Sequence, residues 1–178
     1  MRSEDPIFLL IKAVDFAAAK HRNQRRKDAE ASPYINHPIA LARVLRVEAG
    51  IEDASVLCAA MLHDTIEDTE STREELEKEF GNVIANIVAE VSDDKALPKA
   101  DRKRLQVDHA AAISREARLV KLADKICNLR DMASAHPKGW DLVRRREYFE
   151  WAKEVIDRMR GTDAKLEALF DAAYARMP

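Results

Sequence analysis

A chain of 178 residues, 47% of them apolar and 35% charged, is long enough for a substantial core and has the composition of a globular protein. Its formal net charge of −2 excludes a bulk basic field for nucleic acid, so no nucleic-acid partner is expected. The opening MRSEDPIFLLIKAVDFAAAKHR carries Lys12 and Asp15 within a short apolar run, and no apolar run approaches the ~20 residues of a membrane span, so the expectation is a cytoplasmic chain with no signal peptide and no membrane partner.

Ile7, Leu10, Ile11, Val14 and Ala18 recur at three- and four-residue steps and predict a first helix. The stretch KDAEASPYINHP, residues 27 to 38, is irregular and has room for one short β-hairpin near residues 27–37. From His37, with Pro38 in the first turn, Ile39, Ala42, Leu45 and Ala49 mark a second helix. Asp53 caps a third through Val56, Leu57, Ala60 and Met61. Thr72 with Glu75 reads as a capping box for a helix ending at Phe80. Further helices are predicted over 82–91, 101–112, 114–134, 140–160 and 163–175, and Gly50, Gly81, Gly139 and Gly161 follow or separate these stretches. No alternating strand pattern, repeat, low-complexity tract or linker interrupts them, so residues 1–178 read as one all-α domain of roughly eight or nine helices in a compact bundle. Cys58 and Cys127 sit in apolar helical patterns outside any CxxC pair and read as reduced core residues.

The chemistry concentrates in LHDTIEDT, residues 62 to 69, directly after an apolar run. On a helix, His63 and Glu67 share a face, as do Asp64 and Asp68, and the vicinal His63 and Asp64 are about 100° apart, close enough to form a two-ligand clip for a divalent cation. Further ligands must come from elsewhere, and His37 in YINHP and Asp124 in LVKLADKICNL are the candidates. Two imidazoles and two carboxylates suit Mn, Fe or Zn better than Ca. Open coordination positions favour Mn or Fe, whereas the affinity order favours Zn, so the spacing leaves the metal open.

Plainer readings stand beside these. A histidine at a helix end is commonly a capped surface residue, and an aspartate in an apolar face is commonly paired, here with Lys121, Lys125 or Arg130 nearby. EDTE fits a solvated acidic turn, although acids at a helix C-terminus oppose its dipole. The basic stretch HRNQRRKD fits a solvated helix end, and in EYFEWA Phe149 and Trp151 read as core, with Tyr148 able to face a pocket.

HRNQRRKD, PYINHP, AAMLHDTIEDT, LVKLADKICNLRDM and EYFEWA together resemble the small alarmone hydrolases of the HD superfamily of metal-dependent phosphohydrolases. That group is similar to the hydrolase half of the bifunctional Rel/Spo proteins and includes the free-standing Mesh-type enzymes of animals; the resemblance runs from about Val14 to Gly161. It implies a hydrolase with one Mn²⁺ ion, other divalent metals also serving, that removes the 3′-pyrophosphate of ppGpp or pppGpp to give GDP or GTP and pyrophosphate. By the same resemblance His37, His63, Asp64 and Asp124 match the metal ligands, and Glu67 and Asp68 match the acidic pair that works on the catalytic water. Arg26 and Lys27 match residues lining the nucleotide site, Asn128 a residue facing sugar or base, and Lys99, Arg144 and Tyr148 the phosphate end and pocket wall. The chemistry agrees: a multiply anionic ester repels an anionic nucleophile unless cations neutralise it, and either Glu67 or Asp68 can take the proton of the attacking water. The length leaves no room for a synthetase domain, so hydrolysis without alarmone synthesis is expected. The alternatives are a phosphohydrolase acting on NADPH 2′-phosphate or another nucleotide, and a catalytically silent nucleotide-binding module, which a missing ligand or acid would signal.

Overall fold

The computed structural model describes residues 5–178. Helix α1, Pro6–Lys20, starts where the Asp5 carboxylate accepts from the Ile7 amide and Pro6 fills the first turn, where an N–H would have no helical partner. It packs on the central helix through Ala13 and Ala17, whose small side chains let the two backbones approach. The predicted stripe is therefore rotated: Ile7 and Ile11 are 68% and 64% exposed, while Leu10 and Val14 are half-buried against the core.

Residues 24 to 34 form an ordered loop. The hairpin expected there is reduced to one antiparallel bridge between Arg25 and Pro33, and no strand forms among the described residues. Asp28 explains why: its carboxylate takes both the amide and the hydroxyl of Ser32, so it satisfies locally groups that a ladder would otherwise pair. Helix α2, Asn36–Arg43, follows and continues as a turn of π geometry over Val44–Ala49, which keeps Leu41, Leu45 and Ala49 all buried before the chain turns at Gly50.

Helix α3, Ala54–Leu62, is capped by Asp53 as its sequence predicts, and everything from Val56 to Leu62 is buried. It is a central helix, in contact with α1, α2, α5 (Arg73–Val91) and α7 (Arg115–Ser134). The apolar run does not continue helically into the acidic stretch. Helix α3 stops at Leu62, His63 and Asp64 form a turn, and the single-turn helix α4, Thr65–Asp68, restarts with Thr65 Oγ1 donating to the Leu62 carbonyl at 2.6 Å. Glu67 and Asp68 thus lie in a new first turn, and the expected opposition to a long helix dipole is removed.

Thr72 caps α5 by accepting from the Glu75 amide at 3.2 Å, while the Glu75 carboxylate takes Lys20 of α1 at 2.9 Å. Within α5 the helix breaks at Gly81, with φ 81° and ψ 165°, which is the separation predicted between Phe80 and residue 82. Only glycine is comfortable in that region, so Gly81→Ala should cost about 1–3 kcal/mol and lower the melting temperature by several degrees in a circular dichroism melt. An unchanged melt would show that this kink is not a required left-handed position.

Helix α6 is Lys99–His109, α8 is Leu142–Asp157 and α9 is Ala164–Tyr174. Ser114, Asp141 and Asp163 cap α7, α8 and α9. Helix α8 is shorter than its apolar pattern predicted, because Asp141 takes the Arg144 amide and fixes the start after Trp140. Cys58 and Cys127 are free and buried, and burial pushes their thiols up to about 11 and about 12. No helix among the described residues is long and apolar enough to cross a membrane. The arrangement brings the start of α2, the α3–α4 turn and the middle of α7 to one place, because α2, α3 and α7 pack against one another.

Candidate metal centre and adjoining cavity

His37 on α2, His63 at the end of α3 and Asp124 on α7 each offer a ligand atom, and the three atoms lie within 4.8 Å of one another. His37 Nε2 is 3.2 Å from Asp124 Oδ1, and the two imidazole centres are 5.2 Å apart. His63 Nδ1 donates to the Ala60 carbonyl at 2.9 Å, which fixes the tautomer and turns the Nε2 lone pair toward the cluster. That Nε2 is buried and has no aligned hydrogen-bond partner, although Asp64 Oδ2 lies 2.8 Å away. Asp64 Oδ2 also accepts from the Tyr34 hydroxyl. An orphaned imidazole nitrogen between two half-buried carboxylates is a mixed nitrogen and oxygen donor set, and it fits a divalent transition metal.

The electrostatics carry the same sense. Burial opposes charge on His63, yet the Asp64 and Asp124 carboxylates outweigh it and raise the imidazole to about 9. Burial would raise Asp64, but His63 and His37 hold it well below the usual carboxylate range. Burial lowers His37, partly offset by Asp124. Two carboxylates thus create a strongly negative spot that favours positive charge, whether a proton on His63 or a bound cation.

Asp124 satisfies both readings of its buried position. Its Oδ1 faces His37 and accepts from Asn128 Nδ2 at 2.6 Å, and its Oδ2 is 3.2 Å from Lys125 Nζ. Lys125 is itself buried, bound to Gln106 Oε1 at 3.1 Å and placed 4.3 Å from the Trp151 ring centre. Trp151 is therefore half-buried support for this ammonium as well as core, whereas Phe149 is core alone.

The two acids of α4 diverge. Asp68 Oδ2 accepts from Gln24 Nε2 at 2.8 Å, and its Oδ1 pairs with Lys95. Glu67 Oε2 accepts from the Asp93 amide at 3.1 Å, and its Oε1 is 3.5 Å from Arg102. Burial, reinforced by Asp64, Asp93 and Asp68 and opposed by the Asp93 amide, raises Glu67 to about 7. Each acid has two donors against it, and burial among other acids poises Glu67 to exchange a proton near neutral pH.

A cavity of about 400 Å³ opens beside the cluster, with His37 and Asp68 in its wall. Arg26, Lys27, Asn128 and Tyr148 are in its lining. Arg26 is held by Asp131 at 2.5 Å and lies 5.8 Å from the Tyr34 ring centre. Glu67, Lys99 and Arg144 are not in this lining. Lys99 and Arg144 instead approach Trp140, a lining residue, at 5.7 and 4.1 Å from its ring centre, which places two cations near that wall. Burial and the neighbouring Arg144, Lys27 and Arg102 charges lower Lys99.

Several participants escaped the sequence reading. Tyr34 in PYINHP and Gln24 in HRNQRRKD carry no local sign of a role, because only the fold shows that they reach Asp64 and Asp68. Asp93, Lys95 and Arg102 come from the α5–α6 connection and the start of α6, where no local pattern marks these three as neighbours of the acids. Trp140 had a signal only in retrospect, as a tryptophan immediately before a helix cap.

A family model described as HD domain matches residues 13–148. The guanosine-3′,5′-bis(diphosphate) 3′-pyrophosphohydrolase MESH1 of Xenopus tropicalis is 56% identical over 166 residues, covering 93% of this chain and 93% of that protein. The protein of the same name from Homo sapiens is 57% identical over 158 residues, covering 89% and 88%. A solved structure described as a metazoan ortholog of SpoT that hydrolyzes ppGpp and plays a role in starvation responses superposes with a TM-score of 0.92 at 49% identity, covering 94% of each chain.

Proposed function

We propose that this chain, which belongs to the HD-domain family, is a guanosine-3′,5′-bis(diphosphate) 3′-pyrophosphohydrolase that converts ppGpp or pppGpp to GDP or GTP and pyrophosphate. The single observation that carries the reading is the convergence of His37, His63 and Asp124 beside a cavity lined by Arg26 and Lys27, in a chain more than half identical to enzymes of that name. His37, His63, Asp64 and Asp124 would hold the cation, which we take to be Mn²⁺ because four protein ligands with room for water suit a five- or six-coordinate ion. When bound, the cation lowers the pKa of its water and polarises a phosphoryl oxygen.

The chain's own groups supply the remainder. Arg26 is pre-aimed by Asp131, and Lys27 beside it adds a second charge against the phosphates. Tyr148 and Asn128 bound the nucleoside side of the cavity, and Lys99 and Arg144 wait near the wall for further phosphate. Glu67 takes a proton from the attacking water while Asp68, fixed by Gln24 and Lys95, orients it. Water oxygen bonds to phosphorus, the bond from that phosphorus to the ribose oxygen breaks, and the ribose oxygen takes up a proton. The two buried free cysteines support a reducing, cytoplasmic setting.

The test is purified protein with Mn²⁺ and ppGpp, products separated by anion exchange, with an EDTA control. GDP and pyrophosphate that vanish with EDTA are expected. Bound Mn²⁺ without turnover would overturn the substrate and bring NADPH and other nucleotides forward. Arg26→Ala should lower kcat/KM for ppGpp by about 10–100-fold, the loss of roughly 1.5–3 kcal/mol of charged hydrogen bonding, with the melting temperature little changed. Unaltered kinetics would remove Arg26 from the site.

A further inference from the structure

We propose that His21 and Gln24 form a positioning relay that fixes the carboxylate of Asp68 at the cavity wall; the inference rests on the hydrolase reading given above. His21 Nδ1 and Gln24 Oε1 are 2.6 Å apart, and Gln24 Nε2 donates to Asp68 Oδ2 at 2.8 Å. His21 is 2% exposed, and its other ring nitrogen, Nε2, is buried with no partner.

Only one arrangement satisfies all three groups. A carboxylate only accepts, so Asp68 must face the Gln24 NH₂ group. That turns the Gln24 carbonyl oxygen toward His21 and requires the hydrogen of the imidazole to sit on Nδ1. The opposite tautomer would set two acceptors face to face and bury an unpaired N–H. Flipping the amide would set its oxygen against the carboxylate.

The backbone holds the relay rigid. His21 ends α1, with its amide on the Ala17 carbonyl at 2.9 Å. The Gln24 amide donates to the His21 carbonyl at 2.9 Å, and the Gln24 carbonyl accepts from the Tyr34 amide at 3.1 Å. The His21 ring rests on the Tyr34 ring with centres 4.8 Å apart, so it cannot swing away from the amide. Asp68 is therefore gripped by a fixed neutral donor on one oxygen and by Lys95 on the other. Such support aims a water-orienting carboxylate before substrate arrives.

The test pairs kinetics with a substrate-free readout. Gln24→Met keeps length but removes the amide, and it should lower kcat for ppGpp by roughly 10–100-fold while KM and Mn²⁺ affinity stay within error and the melting temperature falls by only the few degrees that an unpaired His21 N–H costs. His21→Leu should lower kcat in the same direction, and His21→Asn, which restores a donor near Nδ1, should recover much of the loss. Ring ¹⁵N shifts of the wild-type protein should report hydrogen on Nδ1 of His21. Unchanged kcat in Gln24→Met overturns the proposal, as does an Nε2–H tautomer in the wild type. Should His21→Leu fail to fold, Gln24→Met and the tautomer still decide. If wild type leaves ppGpp intact, the hydrolase reading fails on that result, and the tautomer separately decides whether the hydrogen-bonded chain exists.

Discussion

Replacing Glu67 by Gln should lower kcat by about 10²–10⁴-fold, the range expected for loss of a positioned general base, while Mn²⁺ remains bound. Glu67 differs from Asp68 in what its neighbours do. Asp68 is neutralised by Lys95 and tied to Gln24, whereas burial and surrounding acids raise Glu67 to about 7. The base must be ionised, so the metal-dependent rate should rise with pH as Glu67 loses its proton and level off above that, at or below about 7 because a bound cation offsets the Asp64 charge, and the Gln variant should lose that limb. Stability moves in the opposite sense. A carboxyl whose folded value lies above its unfolded 4.5 contributes stability below about 4.5 that is lost as pH rises through about 7. Glu67→Gln removes this loss, so the metal-free variant should be more stable than wild type at pH 8, by at most roughly 3 kcal/mol, with the difference vanishing below pH 4.5. A variant with wild-type turnover, or one no more stable than wild type at pH 8, would show that Glu67 is not the poised acid.

Local rules reached the helices well. Asp53 supplies an oxygen to the otherwise unpaired Ser55 amide, so its role could be read without knowing the fold. Ser114, Asp141 and Asp163 do the same for amides within the next three residues, yet each falls inside a stretch whose pattern reads as helix rather than as its cap. Gly81 was as legible as Asp53, since a helical pattern that stops and restarts around a glycine needs a backbone only glycine adopts easily. The break at His63 was not legible. The apolar run through Met61 and Leu62 continues in helical register, and the restart is fixed by Thr65 bonding back to Leu62, a choice available equally to a continuing helix. The outward turn of Ile7 and Ile11 was hidden for a similar reason: Ala13 and Ala17 win the contact with α3 because they are small, and periodicity does not register size.

At the site, residue type carried the ligand candidates, because histidines and aspartates bordering apolar runs are costly without a partner. Their convergence was another matter. His37 and Asp124 are 87 positions apart in sequence and 3.2 Å apart in the fold, a distance that no local spacing encodes. The partners that tell Glu67 from Asp68 are Gln24, the backbone amide of Asp93 and the side chains of Lys95 and Arg102, the last three on the α5–α6 connection and the start of α6, whose path depends on the packing of those helices. The two acids were therefore visible in the sequence, but the different partners that each takes are a property of the tertiary structure.

Asp64→Ala should abolish metal binding and turnover together. Asp64 Oδ2 lies 2.8 Å from the unpartnered His63 Nε2, and the Tyr34 hydroxyl fixes the carboxylate in that place. Removal of an outer-shell partner alone typically costs 10–100-fold in metal affinity, so loss of a ligand should cost more than ~100-fold. Turnover should fall by about 10³-fold or more, since the cation supplies several kcal/mol of transition-state stabilisation. Two readouts separate this from general damage. Mn²⁺ should raise the melting temperature of wild type, which binds it only when folded, and should not raise that of the variant. Asp64→Asn should fall between the two proteins, because it keeps a partner for Tyr34 but loses the charge that holds His63 up at about 9. A variant that carries one Mn²⁺ per chain and hydrolyses ppGpp would remove Asp64 from the ligand set and leave His37, His63 and Asp124 as the group that the fold brings together.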